Sequence, residues 1–459
     1  MTRTRTGALA LAGLLFVAAA CGSKDESTDS SPPAETAATE AETESTEAET
    51  ESTETESTET ESTETESTEA EVESTEAPAE TGPPEIEDST SGVSDTEIRI
   101  GIHAPESVGG IDLGDILGLG DMTTLYWDTV NVNGGINGRQ VVVDLQDDGY
   151  SADMALQACR DLVANGVLFI SGLGGADQVI TCADRASKDN IPYMSLGVSE
   201  AGLIGVPGYR SMTMTYDGMA PLMAEYIVGE IADAETPVAM VRFNSPSSEG
   251  MQNTFEERMN ELGGNVVALD AVDKQGNVNE MTAECVKLQQ AGAEIVFTIL
   301  VPTVSKQFAD LCAEQNYTPQ FTTTANTLTC ATGSIGTPNL IGCQAFAGTV
   351  TDNADVPLAI EAREAWAAAY PDREAPERLP VFWGLFDAYR EALELAGPEP
   401  TTLGFLDALD GMQYDNGLFN PIDFKGTQIG SDVILVTEAI GEYPYNVEIL
   451  SEWTSSFID

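Results

Sequence analysis

The run Val167-Leu168-Phe169-Ile170 is apolar at every position. A strand that is buried on both faces of a parallel sheet has this composition, whereas a strand with one solvent-exposed face alternates apolar and polar residues. Residues 152–165 before it and 178–189 after it have helical spacing, and Gly166 follows the first of these helices as a C′ glycine. The stretch therefore predicts a strand of a parallel sheet between two crossover helices.

The same alternation extends along most of the chain. In the first half it predicts strands at 97–102, 140–145 and 192–195 and a helix at 121–132. After Thr215 the order restarts, with helices at 220–232, 250–262, 281–291 and 304–315 and strands at 237–243, 266–269 and 294–300. Two long helices at 357–369 and 381–396 and a strand at 433–437 follow. The predicted fold class is α/β, with parallel, doubly wound sheets.

The chain of 459 residues is strongly acidic, with 77 Asp and Glu against 19 Lys and Arg. Residues 25–88 contain 24 of these acids and no base, and 53 acids and 16 bases remain from residue 89 onwards. A protein that binds nucleic acids or anionic lipid surfaces needs local positive charge, so we predict no nucleic-acid partner. The single histidine, His103, excludes multi-histidine zinc sites.

Residues 1–20 have the features of a signal peptide, because two arginines precede an apolar run of 13 residues that ends at Ala20. That run is too short to span a bilayer as a permanent helix. The segment Val17-Ala18-Ala19-Ala20-Cys21-Gly22 resembles a bacterial lipobox, although Ala18 stands where leucine is usual. The resemblance implies acylation of Cys21, which would anchor the protein on the extracytoplasmic face of the cell membrane. A plain secretory signal with an unmodified cysteine is the alternative.

Residues 21–93 are predicted to be a lipid-anchored, acidic, disordered tether. No aromatic residue occurs from residue 24 to residue 92, and much of the segment repeats Thr, Glu and Ser. Such a chain cannot bury enough apolar surface to offset the entropy of ordering, and its like charges repel each other. We interpret it as a spacer. The alternative is a specific acidic ligand for a basic partner or for cations.

Several motifs of the folded part lie at matching points of the predicted order. Asn133-Gly134-Gly135-Ile136-Asn137-Gly138-Arg139 follows the first helix, Asp147-Asp148 ends the second strand, and Ile191-Pro192-Tyr193-Met194-Ser195 covers the fourth strand. With Ala158-Cys159-Arg160-Asp161-Leu162-Val163, these motifs resemble the type 1 periplasmic binding protein family, and in particular the Leu/Ile/Val-binding proteins of ABC transporters. The resemblance covers residues 96–453.

The resemblance implies two Rossmann-like lobes joined by a three-strand hinge. Lobe 1 would comprise residues 94–214 and 350–430, and lobe 2 residues 215–349 and 431–459. The crossovers between the lobes are expected near residues 214–216, 347–350 and 426–431.

The resemblance also implies a function. A monomeric solute-binding lipoprotein would bind a small polar ligand, such as an amino acid or an amide, between its lobes and deliver it to the permease subunits of an ABC importer. A ligand-binding sensor or receptor ectodomain of the same fold is the alternative. We do not predict an enzyme or a cofactor, because the chain has no Walker A loop and no G-x-S-x-G motif. No set of nucleophile, base and orienting group can be assembled from its residues either.

Ligands of parallel sheets bind beyond the carboxyl ends of the strands, near free N–H groups at helix N-termini. The corresponding loops are rich in Gly, Ser, Asn and Thr, although each loop alone could be an ordinary capped turn. From these loops and the family pattern, the predicted ligand-binding residues are Ser107, Gly175, Ala176, Asp177, Gly197, Val198, Ser199, Ser247, Ser248 and Asn326.

The family pattern is only partly kept at this site. Gly197-Val198-Ser199 conforms to it, but residues 174–177 lack the small hydroxyl residue that the resemblance leads us to expect. Thr324-Ala325-Asn326 stands where the family often places an acid, and an aromatic residue is missing near Ser247. A small polar ligand is therefore predicted, and an ordinary branched-chain amino acid is not favoured.

An acidic pair and the single histidine lie near the ends of predicted strands, and each has two interpretations. Asp147-Asp148 could suggest a metal pair, but the resemblance implies a solvated acidic turn, and we predict no metal site. His103 ends the first strand and could either line the cleft or be a packing histidine.

Besides Cys21 the chain has six cysteines, an even number that favours disulfides in an exported protein. One pair lies on the helices that flank the strand at 167–170, and a second pair repeats this arrangement around the strand at 294–300. Successive helices on one sheet face are neighbours, so each pair can approach bonding distance. The predicted disulfides are Cys159–Cys182, Cys285–Cys312 and, by elimination, Cys330–Cys343. Buried free thiols are the alternative.

Overall fold

The structure is a computed structural model, and part of the chain is described by it. The described residues are 85–108, 111–112, 118–196, 202–273, 276–300, 302–324, 340–344, 356–376, 379–418, 420–440 and 446–458. The predicted signal peptide, Cys21 and most of the predicted tether lie outside these ranges.

Strands and helices alternate along the described chain. The strands are Glu97–Ala104 (β1), Ser107–Val108 (β2), Ile111–Asp112 (β3), Gln140–Asp147 (β4), Ile170–Gly172 (β5), Tyr193–Ser195 (β6), Tyr209–Ser211 (β7), Pro237–Phe243 (β8), Asn265–Val272 (β9), Ile295–Ile299 (β10), Gln320–Thr324 (β11), Ile341–Gln344 (β12), Gln413–Tyr414 (β13), Ile422–Asp423 (β14), Leu435–Ile440 (β15) and Asn446–Ile449 (β16). The helices are Leu119–Val132 (α1), Ala152–Ala164 (α2), Ala176–Lys188 (α3), Tyr216–Tyr226 (α4), Pro246–Glu261 (α5), Val278–Ala291 (α6), Pro302–Glu314 (α7), Pro357–Ala369 (α8), Leu379–Leu395 (α9) and Thr402–Asp410 (α10), with a π-helical turn at Ile227–Ile231 after α4.

The first sheet is parallel throughout, with the strand order β4-β1-β5-β6-β7. β1 pairs with β4 along its whole length and with β5 at its carboxyl end. The chain therefore builds the sheet outward from β1 in two directions. The carboxyl ends of β1 and β5 flank the point where the strand order reverses, which is where open parallel sheets bind ligands.

Helices cover both faces of this sheet. On one face α2 and α3 bury Leu162 and Val179 against β5 and β6. On the other face α1, α8, α9 and α10 share a core with β1, in which Trp127 and Trp383 are almost fully buried. A sheet covered on both faces requires strands that are apolar on both faces, and this accounts for the composition of residues 167–170.

The second sheet repeats the pattern, in the order β16-β15-β12-β11-β10-β8-β9. β8 lies between β9 and β10, so this sheet also has a reversal of strand order. The strands from β9 to β12 are parallel, and β15 and β16 add an antiparallel edge. α4 and α5 pack on one face, and α6 and α7 on the other. The predicted fold class is confirmed.

The boundaries of several elements differ from the predictions. β5 starts at Ile170, but the preceding apolar residues are buried, and Leu168 N–H donates to Arg99 O at 2.8 Å. α3, α4 and α5 begin at residues 176, 216 and 246 instead of 178, 220 and 250. Apolar periodicity locates a helix by its buried stripe, and it misses a first turn that is polar, as in Pro246-Ser-Ser-Glu249.

Residues 85–93, which the prediction assigns to the end of the tether, pack on the first sheet and its helices. Ile86 is buried, and Arg99 N–H donates to Gly92 O at 2.7 Å. Ser89 N–H donates to Thr402 Oγ1 at 2.8 Å. The packed structure therefore includes this short segment ahead of β1.

Two of the three predicted crossover segments are described, and residues 347–350 are not. Residues 214–216 connect β7 to α4, and residues 426–431 lie between β14 and β15. β7, which leads into residues 214–216, is hydrogen-bonded to residues 426–431. Ser211 N–H donates to Gln428 O at 2.8 Å, and Gly430 N–H donates to Ser211 O at 2.7 Å. These two chain segments are thus joined by backbone hydrogen bonds.

Two of the predicted disulfides are present. Cys159–Cys182 joins α2 to α3, with Cα atoms 5.5 Å apart, and Cys285–Cys312 joins α6 to α7, with Cα atoms 5.0 Å apart. Cys330 and the side chain of Cys343 lie outside the described residues, so the third pairing stays a prediction.

Peptide mapping of the exported protein without reduction should find the bonds 159–182, 285–312 and 330–343. The double variant Cys285→Ser/Cys312→Ser should lose about 2–4 kcal/mol of unfolding free energy in urea, because its denatured state is no longer constrained by the closed loop. A bond between a cysteine of α2 or α3 and one of α6 or α7 would contradict the topology.

Candidate functional site

Asp147 organises the loop that follows β1. Its Oδ1 accepts the N–H groups of Glu106 at 3.0 Å and Ser107 at 3.1 Å, and its Oδ2 accepts the Ser107 hydroxyl at 2.6 Å. Ser107 therefore lies at the carboxyl edge of the first sheet, as predicted from sequence. The bonds with Asp147 fix its position there.

The loop after β5 leads into α3 at the same edge. Gly175 is the N-cap residue of the helix in an extended conformation, and as a glycine it supplies no side-chain cap of its own. Ala176 begins the helix, and Asp177 is exposed in its first turn. The first N–H groups of a helix have no intrahelical acceptor, so this end attracts an anionic group. The structure thus brings Ser107 and residues 175–177 to one edge.

A buried polar network lies beneath this edge. His103 Nδ1 is 2.8 Å from Asp148 Oδ2, and His103 Nε2 is 2.6 Å from Tyr193 Oη. His103 and Asp148 have no exposed surface, and Tyr193 is 1 % exposed. Burial, the chief cause, raises the pKa of the Tyr193 hydroxyl well above 10, so that it remains protonated.

This network shows that the expectation for Asp148 is wrong, and it decides between the two interpretations of His103. Asp148 is not part of a solvated turn, because its carboxylate is enclosed and paired with His103. His103 is a packing histidine with both ring nitrogens bonded. The order Tyr-His-Asp resembles that of a catalytic triad, but a solute cannot reach side chains that are this deeply buried. Among the described residues, no group of three or more acidic, histidine or cysteine side chains could hold a metal ion.

The corresponding edge of the second sheet holds Ser248 in the first turns of α5. Its hydroxyl donates to Phe243 O at 2.5 Å and accepts from Arg242 Nη1 at 3.1 Å. Arg242 Nε also donates to Gln252 Oε1 at 2.8 Å. These bonds shape the turn from β8 to α5, and they occupy the Ser248 hydroxyl with the turn itself.

Asp217 is a candidate site residue that the sequence patterns do not indicate. It lies in the first turn of α4, and a Cβ on Gly250 of α5 would be only 2.6 Å from its Oδ2. Its Oδ1 is buried and has no hydrogen-bond partner among the described residues. Burial raises the pKa of this carboxyl to about 6. At neutral pH the chain therefore holds a desolvated carboxylate with an unused acceptor, which is a common feature of functional sites.

The sequence signal for Asp217 was weak, because an aspartate in the first turn of a helix is ordinarily a favourable charge at the helix N-terminus. The approach of Gly250, which removes water from the carboxylate, is a tertiary contact. Of the other predicted residues, Gly197, Val198, Ser199 and Asn326 lie outside the described part of the chain, as does the side chain of Ser247.

A family model described as "Periplasmic binding protein" matches residues 98–436. The chain belongs to the periplasmic binding protein family. The predicted resemblance is confirmed, and because the members of this family are solute-binding proteins, so is the prediction that the chain is not an enzyme. Within the described residues, no helix is long and apolar enough to cross a membrane.

Individual relatives are distant. A Leu/Ile/Val-binding protein homolog 3 of Brucella melitensis is 26% identical over 204 residues, which cover 44% of this chain and 54% of the relative. The chain therefore matches about half the length of this curated relative.

Solved structures match over more of the chain. A fatty acid ABC transporter substrate-binding protein from Thermomonospora curvata aligns with a TM-score of 0.68 at 18% identity, covering 82% of this chain and 95% of that one. A solute-binding protein of an ABC transporter from Rhodopseudomonas palustris, in complex with 3,4-dihydroxy benzoic acid, aligns with a TM-score of 0.63 at 16% identity, covering 79% and 98%. These similarities establish the fold of this family member.

Replacing Asp217 by Asn should stabilise the ligand-free protein at neutral pH. The folded state raises the pKa of this carboxyl to about 6, so folding favours the protonated form. In the wild type this carboxyl therefore contributes stability below its unfolded pKa of about 4, and the contribution is lost as the pH rises through 6. Asparagine does not titrate. The unfolding free energy of the variant relative to the wild type should therefore increase by about 1–3 kcal/mol from pH 4 to pH 7, as measured by urea unfolding.

Asp153→Asn is the matched control, because Asp153 is an exposed first-turn aspartate of α2. Because its carboxyl is exposed to water, this variant should not show the gain in stability at pH 7 that is expected of Asp217→Asn. A pH-independent difference for Asp217→Asn would show that its carboxyl is not desolvated.

Proposed function

We propose that this protein is the extracytoplasmic solute-binding lipoprotein of an ABC importer, and that it captures a small ligand carrying a carboxylate and a hydrogen-bond donor. One observation carries the proposal: the carboxyl edges of the two sheets present complementary groups, namely the N-terminus of α3 after Gly175 and the buried acceptor of Asp217. The ligand is held between lobe 1 and lobe 2 as the lobes close, and the closed form docks on the permease subunits.

The carboxylate end of the ligand is assigned to the first lobe. The backbone of residues 175–177 remains the predicted contact for an anion, because the dipole of α3 favours negative charge at this end. Ser107 lies at the same edge, and Ser199 follows the strand β6 in sequence. The related proteins support this assignment, since fatty acids, dihydroxybenzoic acid and branched-chain amino acids share a carboxylate and little else.

The donor end of the ligand is assigned to Asp217. The chain lacks the acid that the family often has near residue 324, and Asp217 supplies an anionic acceptor from a different element. A ligand ammonium or amide N–H would satisfy its buried Oδ1. An amino acid or an amide combines both ends, and Ser247, Ser248 and Asn326 remain candidates for further contacts.

A thermal-shift screen tests the proposal with amino acids, amides, fatty acids and aromatic carboxylates. A tight ligand raises the unfolding midpoint by mass action, and we expect the responding compounds to combine a carboxylate with an N–H donor. Carboxylates without a donor that bind equally well would remove Asp217 from the site. A screen in which no carboxylate responds would refute the assignment of the first lobe.

Ser199→Ala should weaken binding of the compound that responds most strongly by about 1–3 kcal/mol in calorimetry, if it leaves a buried ligand group unpaired. Ser455→Ala changes an exposed serine of the C-terminal segment and should leave the affinity unchanged. Equal affinities for the two variants would remove Ser199 from the proposed site.

The lipid anchor and the transport role have separate tests. Cys21→Ser should shift the exported protein from the membrane fraction into the soluble fraction, whereas a plain secretory protein would be soluble before and after the change. Cells without this protein should lose high-affinity uptake of the identified compound. Retained uptake with a lost response to that compound would indicate a sensor.

A further inference from the structure

The proposed binding loop, residues 172–175, rests directly on the buried side chains of Asp148, His103 and Tyr193. A Cβ on Gly172 would be 1.8 Å from Tyr193 Oη and 2.8 Å from His103 Nε2. A Cβ on Gly174 would be 2.5 Å from Asp148 Oδ2. The loop backbone therefore occupies the space immediately above the network, and both glycines are required by this contact rather than by their backbone angles.

Hydrogen bonds tie the loop and its neighbours to two of these residues, His103 and Asp148. Leu173 N–H donates to His103 O at 2.9 Å. Tyr150 N–H donates to Asp148 Oδ1 at 2.9 Å, and the Tyr150 ring would contact a Cβ on Gly175 at 3.1 Å. A shift of the network would thus move the start of α3 as well as the loop.

The bonding pattern has a definite direction. A carboxylate at Asp148 only accepts, so His103 Nδ1 must carry a proton and donate to it. Nε2 of the neutral ring is then an acceptor, and the Tyr193 hydroxyl donates to it.

We propose that Asp148, His103 and Tyr193 are positioning residues that hold the loop in its binding conformation. That the loop binds ligand rests on the proposed function. The other titratable groups close to Tyr193 are Tyr209, whose ring stacks on it at 6.4 Å, and Tyr389. Asp177, in the first turn of α3, is exposed beyond the loop.

The single histidine makes the proposal directly measurable. Nitrogen-15 NMR of the full chain carrying Cys21→Ser, labelled only at histidine, reports on His103 alone. At neutral pH we expect a proton on Nδ1 and none on Nε2.

An Nε2–H tautomer at neutral pH would contradict the bonding pattern on which the proposal rests.

A pair of tyrosine variants separates positioning from general packing. Tyr193→Phe removes the hydroxyl that bonds to His103 and should speed exchange of residues 172–178 at neutral pH by about tenfold. Tyr317→Phe removes a buried hydroxyl that donates to Ala293 O at 2.8 Å in the other core, and it should leave that loop unchanged. Equal effects of the two variants, or no effect of Tyr193→Phe, would refute the positioning role.

None of these measurements uses a ligand. A protein that binds no compound of the thermal-shift screen would refute the proposed function, and the NMR and exchange results would still decide whether the network holds the loop.

Discussion

Parallel pairing of one central strand with a neighbour on each side is the constraint on which the rest of this molecule depends. β1 lies between β4 and β5, and β8 lies between β9 and β10. Each parallel step needs a crossover helix, so both sheets become covered on both faces and their strands become apolar. The same pairing creates a reversal of strand order in each sheet, and the loops at that reversal carry the proposed site.

Polar side chains are buried where the strand order of the first sheet reverses. Their burial costs free energy unless every polar group is hydrogen-bonded. Asp148, His103 and Tyr193 meet that condition in a fully buried row, and Ser195 extends the polar region through its 2.8 Å bond with the Tyr209 hydroxyl. Gly172 leaves the space through which Tyr193 reaches His103. An apolar core would be simpler to build, but it would not define the position of a glycine-rich loop through directional bonds.

The acidity of the folded part shapes how the structure is held together. Few basic residues are available, and several of them serve more than one acid. Arg258 bonds to Glu225 and Glu261, and Arg390 pairs with Asp387, Glu391 and Glu394. Most of the acidic surface has no such compensation and repels itself. The two disulfides constrain the unfolded chain on the outer helix layers, and they offset part of this repulsion without adding charge.

The division between lobes at residues 214, 350 and 430 follows from the family resemblance and remains a prediction, as do the anchor at Cys21 and the pairing of Cys330 with Cys343. Within the described chain, Ser211 of β7 is hydrogen-bonded to both Gln428 and Gly430.

The amino-acid sequence by itself determined the order of elements, the parallel sheets and two disulfide pairs. These features depend on local apolar periodicity and on the rule that successive helices of a parallel sheet are neighbours. Periodicity did not locate the polar first turns of α3 and α5, because it detects only the buried stripe. Tertiary structure decided the roles of Asp148, His103 and Asp217. A carboxylate has the same sequence signature whether water surrounds it or Gly250 excludes water from it. Only the folded chain brings Asp148, which follows β4, within hydrogen-bonding distance of His103 in β1, and His103 within that distance of Tyr193 in β6.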